Sequence, residues 1–154
     1  MKVLIATDGS QFSTAAVQRC AQMLPNRSDT EVKLISVYEK LGPMAAEPFG
    51  VSTEYYREAE HASRKLAEEA VINAGDQLRE QVHDMKFTIE SEVERGRASR
   101  VIVEAAADWD ADLIVLGSHG YGFWERNLLG SVSDAVVHHA PCSVMVVRTP
   151  AKAD

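Results

Sequence analysis

Apolar positions in this chain fall into two rhythms that take turns. Val3 to Ala6 is a short unbroken apolar run, followed at once by the turn TDGS. Ser10 then stands where a helix cap belongs, and Phe12, Ala16, Cys20 and Leu24 recur at helical spacing until Pro25-Asn26 stops them. EVKLISV at 31–37 alternates and then turns apolar, which predicts a second strand. KLGPMAAEPFGVS at 40–52 carries two Pro and two Gly and reads as a long loop. A long polar helix is predicted over 53–82, with Ala59, Ala62, Leu66, Ala70, Ala74 and Leu78 on its inner face and Gly75 as a weak point. KFTIESEV at 86–93 alternates as an edge strand would, and Gly96 opens a turn. Val101, Ile102, Ala105, Ala106 and Trp109 mark a third helix. A fourth strand at 112–116, a glycine-rich loop, a short helix at 131–139 and a last strand, SVMVV at 143–147, complete the series.

Strand and helix thus alternate nearly throughout, the pattern of a parallel sheet covered by helices on both faces. The first, second, fourth and fifth strands are close to continuous apolar runs, as doubly covered strands are. Ligands of such sheets sit beyond the C-terminal strand ends, where strand order reverses. TDGS and the glycine loop both fall at such ends. Strand order itself is not written in the pattern.

Composition narrows the partners. The chain has 154 residues, enough for one domain with a real core, and a net charge of −7. That acidity speaks against a broad nucleic-acid surface and against docking to anionic membranes. No apolar run reaches the roughly 20 residues of a membrane span. The N-terminus reads as strand and turn rather than as a signal peptide. Cys20 and Cys142 give no disulfide framework, and the expected compartment is the cytoplasm.

The loop GSHGYGFWERNLLGS, 117–131, holds Gly117, Gly120, Gly122 and Gly130. Glycines let an anion approach the main chain, and a helix starting at Gly130-Ser131 presents unpaired N–H groups, to which the hydroxyls of Ser131 and Ser133 would add donors. A plain turn with a capping serine explains the same composition equally well. The loop is not a Walker loop, because it has no Lys. It is not the dinucleotide G-x-G-x-x-G either, because Glu125 stands at the third glycine.

Gly117, Gly120, Gly130 and Ser131 do fit G-x2-G-x9-G-[ST]. With ATDGS at 6–10, GRASRVIVEAAADWDADLIVLGSHG at 96–120 and LLGSVSDAVVHHAPCSVMVVR at 128–148, the chain resembles the ATP-binding branch of the universal stress protein family over nearly its whole length. The resemblance implies one Rossmann-like domain at 1–148 with a tail at 149–154, and an open five-stranded α/β sheet in order 3-2-1-4-5. It implies ATP, with Mg²⁺, across the central cleft. Ala6, Thr7, Asp8 and Val37 would hold the adenine end. Leu116, Gly117, Ser118, His119, Gly120, Gly130, Ser131, Val132 and Ser133 would surround ribose and phosphates. The Mg²⁺ would be held mainly by phosphate and water, with no protein ligand nominated. It also implies a homodimer paired through Ser143–Val147, against the alternative of a strand shielded by the tail.

Other features carry plainer readings. Tyr121, Phe123 and Trp124 suit loop packing or a subunit contact, and Arg126 suits a pair with Glu125 or, alternatively, contact with a phosphate. His138, His139 and Cys142 form H-H-x-x-C, but adjacent helical residues diverge, and His near a helix C-terminus answers the dipole. His61 and His83 read as surface positions, Cys20 as core, and EAEHASRKLAEEA as a solvated face. Three functions stand open: a nucleotide-dependent stress or signalling module, a slow ATPase or autophosphorylating enzyme, and a nucleotide-free interaction module.

Overall fold

The order of elements follows from where helical and strand periods change over. In the computed structural model they are β1 (Lys2–Ala6), α1 (Gln11–Met23), β2 (Glu31–Tyr38), α2 (Thr53–Gln81), β3 (Thr88–Arg95), α3 (Ala98–Asp108), β4 (Leu113–Gly117), α4 (Ser131–His139) and β5 (Ser143–Val147). The structure describes residues 1–24, 28–39, 53–82, 84, 86–120 and 129–148. The loop at 40–52, Pro25-Asn26, His83, Tyr121 to Leu128 and the tail at 149–154 lie outside the described residues, so the readings attached to them are not taken up again.

The strands form one parallel sheet in the order β3-β2-β1-β4-β5. Each crossover helix returns the chain to the start of the next parallel strand. One core cluster joins Val3, Ile5 and Leu34 of the sheet to Ala16, Val17 and Cys20 of α1 and to Val71, Ala74 and Leu78 of α2. The other joins Leu4, Ile35 and Ile114 to Ile102 and Ala106 of α3 and Val136 of α4. Helices therefore cover both faces, α1 and α2 on one and α3 and α4 on the other.

A local signal accounts for the start of α1. Ser10 caps α1, its Oγ accepting from Ser13 N–H at 3.3 Å. Cys20 is buried, and removal from water pushes its thiol up to about 12. Trp109 caps the C-terminus of α3 and packs against the same core cluster as Ile102 and Ala106, and its ring stands under the Lys33 and Lys2 ammoniums at 4.9 and 5.6 Å.

Two expectations need correction. β3 begins at Thr88, not 86, because its eight register pairs run from Glu31↔Thr88 to Tyr38↔Arg95 and Lys86 and Phe87 precede the start of β2. Phe87 is still buried in the core. The inner face of α2 is also different: Ala67, Ala70, Val71, Ala74, Gly75 and Leu78 are buried, while Ala62 and Leu66 are exposed. The cause is phase: strict four-residue steps drift around a helix of about 3.6 residues per turn, so Ala62 and Leu66 rotate off the face that carries Ser63, Ala67, Ala70, Ala74 and Leu78. The helix is also longer than the sheet is deep. A 29-residue helix runs about 43 Å, whereas the eight-residue β2 runs about 26 Å. The N-terminal half of α2 therefore overhangs the C-terminal edge of the sheet and has no sheet to pack on. The helix continues unbroken through Gly75.

Among the described residues, no helix is long and apolar enough to cross a membrane.

Candidate functional site

β1 and β4 are neighbours, yet α1 after β1 and α4 after β4 leave toward opposite faces. A crevice opens between them at the C-terminal strand ends. It forms a cavity of about 730 Å³, within the range of small-molecule sites.

Its β1 side is Ala6, Thr7 and Asp8. Thr7 is buried and fully engaged: its N–H donates to Ile35 O at 2.9 Å, and its hydroxyl donates to Ser13 Oγ and accepts from Gly9 N–H, both at 3.2 Å. Asp8 Oδ1 accepts from Ser10 N–H at 3.0 Å, the turn that TDGS predicts. Its other oxygen faces Gly120, where a Cβ would lie 2.7 Å from it.

The β4 side is Leu116, Gly117, His119 and Gly120. Among the described residues the positive-φ glycines are Gly9 and Gly96, so Gly117, Gly120 and Gly130 are not needed for a left-handed backbone. Gly117 is needed for close approach. A Cβ there would stand 2.6 Å from Phe12 C, 2.7 Å from Phe12 O and 2.9 Å from Ser13 N, all main chain of α1. Gly130 packs likewise on the backbone of Ser118 and His119, where a Cβ would meet atoms at 3.3 Å. The sequence left the glycines open between a plain turn and ligand approach. At Gly117 the backbone of α1 already excludes a side chain.

The α4 side is Gly130, Ser131, Val132 and Ser133. Gly130 is the N-cap of α4 and offers no side chain to its first turn. The N–H groups of Ser131, Val132 and Ser133 are thus the orphan donors of that helix, at the positive end of its dipole. Gly130 N–H itself donates to Ser118 O at 2.8 Å. Ser133 differs from expectation: its buried hydroxyl donates to Gly117 O at 2.7 Å, so that proton is committed to the loop. Ser131 is exposed and lines the cavity.

Of the sequence-predicted residues, Ser118 alone does not line the cavity. It is buried, its N–H donates to Val147 O at 2.9 Å, and its Oγ lies 3.0 Å from His119 Nδ1. Val37 lines the cavity together with Ile35 and Glu39, which share its strand face and were legible from the period of two. Tyr38, Ser13, Ala98, Ile102 and Ser63 complete the lining. Ala98 and Ile102 stand four apart on the first turns of α3, but nothing in the sequence ties them to this cleft. Ser63 depends on the overhang of α2, which no pattern announced.

Among the lining residues, the carboxylates are Asp8 and Glu39, and no Lys or Arg is present. An anion held here by the described residues would rest on helix and loop N–H groups rather than on ionised side chains. Among the described residues, no group of three or more His, Cys, Asp or Glu is placed to hold a metal. His138 Nδ1 lies 2.8 Å from Asp134 O in its own helix.

A doubly wound parallel sheet with a glycine-lined cavity at its switch point defines the class of protein. Residues 1–148 match the universal stress protein family model, and the chain belongs to that family. It is 28% identical over 154 residues to universal stress protein Sll1388 of Synechocystis, across 96% of this chain and 97% of that one. In fold it is similar to an Arabidopsis thaliana universal stress protein family member solved with AMP bound, with TM-score 0.69, 20% identity and coverage of 98% and 93%. It is also similar to a universal stress protein solved in complex with cAMP, with TM-score 0.66, 23% identity and coverage of 96% of both chains.

The two glycine positions predict different costs. Gly117→Ala forces α1 off β4 and destabilises the fold by about 1–3 kcal/mol. Gly130→Ala needs a shift of only tenths of an ångström and costs less than about 1 kcal/mol. Urea denaturation of both variants checks this; equal midpoints would contradict the packing role of Gly117.

Proposed function

We propose that the protein binds an adenine nucleotide, ATP with Mg²⁺, in the crevice between β1 and β4 and acts as a nucleotide-dependent stress-response or signalling module of the cytoplasm. The observation that carries this reading is the start of α4: the N–H groups of Ser131 to Ser133, with no side-chain cap, border a cavity of about 730 Å³. Such a terminus suits a phosphate. Ala6, Ile35, Val37 and Ile102 supply an apolar slot for the base on the β2 side. With Asp8 and Glu39 as the carboxylates there, a divalent cation would offset the charge of a triphosphate. The AMP and cAMP complexes of similar proteins support an adenine nucleotide as the ligand class. Free thiols at Cys20 and Cys142 suit a reducing compartment.

We further assign β5 as a homodimer edge. Among the described residues it pairs with β4 alone, and it keeps Val144, Met145, Val146 and Val147 half-exposed. Val147 O accepts from Ser118 N–H, so residue 147 points its polar groups at β4 and Val146 points its own outward.

Equilibrium titration with ATP and Mg²⁺ tests the nucleotide reading. Saturable binding is expected, and folded protein that binds nothing at millimolar nucleotide would sink it. Val146→Pro removes an outward N–H and spares the β4 ladder. The variant is expected to sediment as a folded monomer; a wild type that is already monomeric would end the dimer proposal.

A further inference from the structure

The overhanging half of α2 is not solvated on every side. Tyr56, Ala59, Glu60 and Ser63 are half-buried, while the residues between them are exposed. Their spacing continues the face that becomes fully buried from Ala67 onward. At Ser63 this face borders the cavity, beside Tyr38 and Glu39 at the end of β2 and Ala98 at the start of α3. One turn earlier, Glu60 accepts a hydrogen bond from Arg95 at 3.3 Å. Arg95 is the last residue of β3, and the next N–H, of Gly96, donates to Tyr38 O at 3.0 Å. The partner of Glu60 is therefore anchored to the sheet. No α2 residue before Ala67 is buried, so hydrophobic packing does little to locate the overhang and polar contacts matter more.

We propose that the N-terminal half of α2 is a wall of the ligand site, with Ser63 touching the nucleoside end of the bound nucleotide and the Glu60–Arg95 pair positioning it. This rests on the nucleotide reading given above. The end of the ligand follows from the sheet order. Ser63 stands with the end of β2, two strand spacings, about 10 Å, from the β4 side where α4 begins. A ligand with phosphate at α4 extends its base or ribose toward Ser63. The hydroxyl can donate to a ring nitrogen or sugar oxygen and accept from an amino or hydroxyl group. Glu60 and Arg95 act through Ser63 and are positioning residues.

Cysteine protection tests the geometry. Ser63→Cys and Leu66→Cys are made separately with Cys142→Ser, leaving Cys20, which is buried. ATP with Mg²⁺ is expected to slow maleimide alkylation at position 63 and to leave position 66 unchanged, since Leu66 faces outward. Arg95→Leu is expected to reduce the protection at 63, and Arg95→Lys to restore it. Ser63→Ala is expected to weaken ATP binding about two- to tenfold. Equal alkylation rates at 63 with and without ATP, in protein that titration shows to bind ATP, overturn the proposal. Unchanged ATP affinity in Ser63→Ala overturns it too. A wild type that binds no ATP overturns the nucleotide reading first, and this inference with it.

Discussion

The crevice depends on how closely the end of β4 lies against the first turn of α1. Gly117 has no side chain, and the backbone of Phe12 and Ser13 occupies the space one would fill. That contact fixes the carbonyl of Gly117, which takes the Ser133 hydroxyl and so ties α4 to the loop. Ser118 extends the same chain of bonds, accepting from Gly130 N–H on one side and donating to Val147 O on the other. Two helix starts and the end of an edge strand are thereby held around one glycine. Each buried bond contributes about 0.5–1.5 kcal/mol net, but their larger effect is geometric. They leave the first N–H groups of α4 beside the cavity.

Electrostatics make that placement matter. The chain carries a net charge of −7, and the carboxylates at the cavity are Asp8 and Glu39. An anion is repelled by both facts and attracted by the dipole of α4 and the loop amides. Dipoles act over a few ångströms, whereas net charge is screened beyond about 8 Å in physiological salt. A small anion placed against the helix start can bind where a long polyanion finds no purchase. This is the physical sense in which an acidic protein can still accept a small anion.

Most of the fold was legible because its signals are local. Ser10 caps α1 as its position predicted, β5 spans 143–147 as read, and the family resemblance supplied the strand order that periodicity could not. Leu66 fits a stripe of strict four-residue steps, but such a stripe drifts around a helix of about 3.6 residues per turn, and Leu66 faces outward while its neighbour Ala67 is buried. The packing role of Gly117 was not legible because the atoms that require it belong to a helix a hundred positions away in the chain. Ser63 escaped notice because only the extension of α2 past the sheet brings it to the cavity. The middle of the glycine loop, Tyr121 to Leu128, gave the sequence reading its least specific residues and lies outside the described structure.

The central claim is that uncapped N–H groups at the start of α4 hold the phosphates. Amide ¹⁵N–¹H spectra recorded through a titration with ATP and Mg²⁺ test it most directly. The account predicts that the amides of Ser131, Val132 and Ser133 shift most, together with Gly117 and Gly120, while those of the α3–β4 turn near Asp110 stay fixed. Saturable binding that leaves Ser131 to Ser133 unshifted would contradict it.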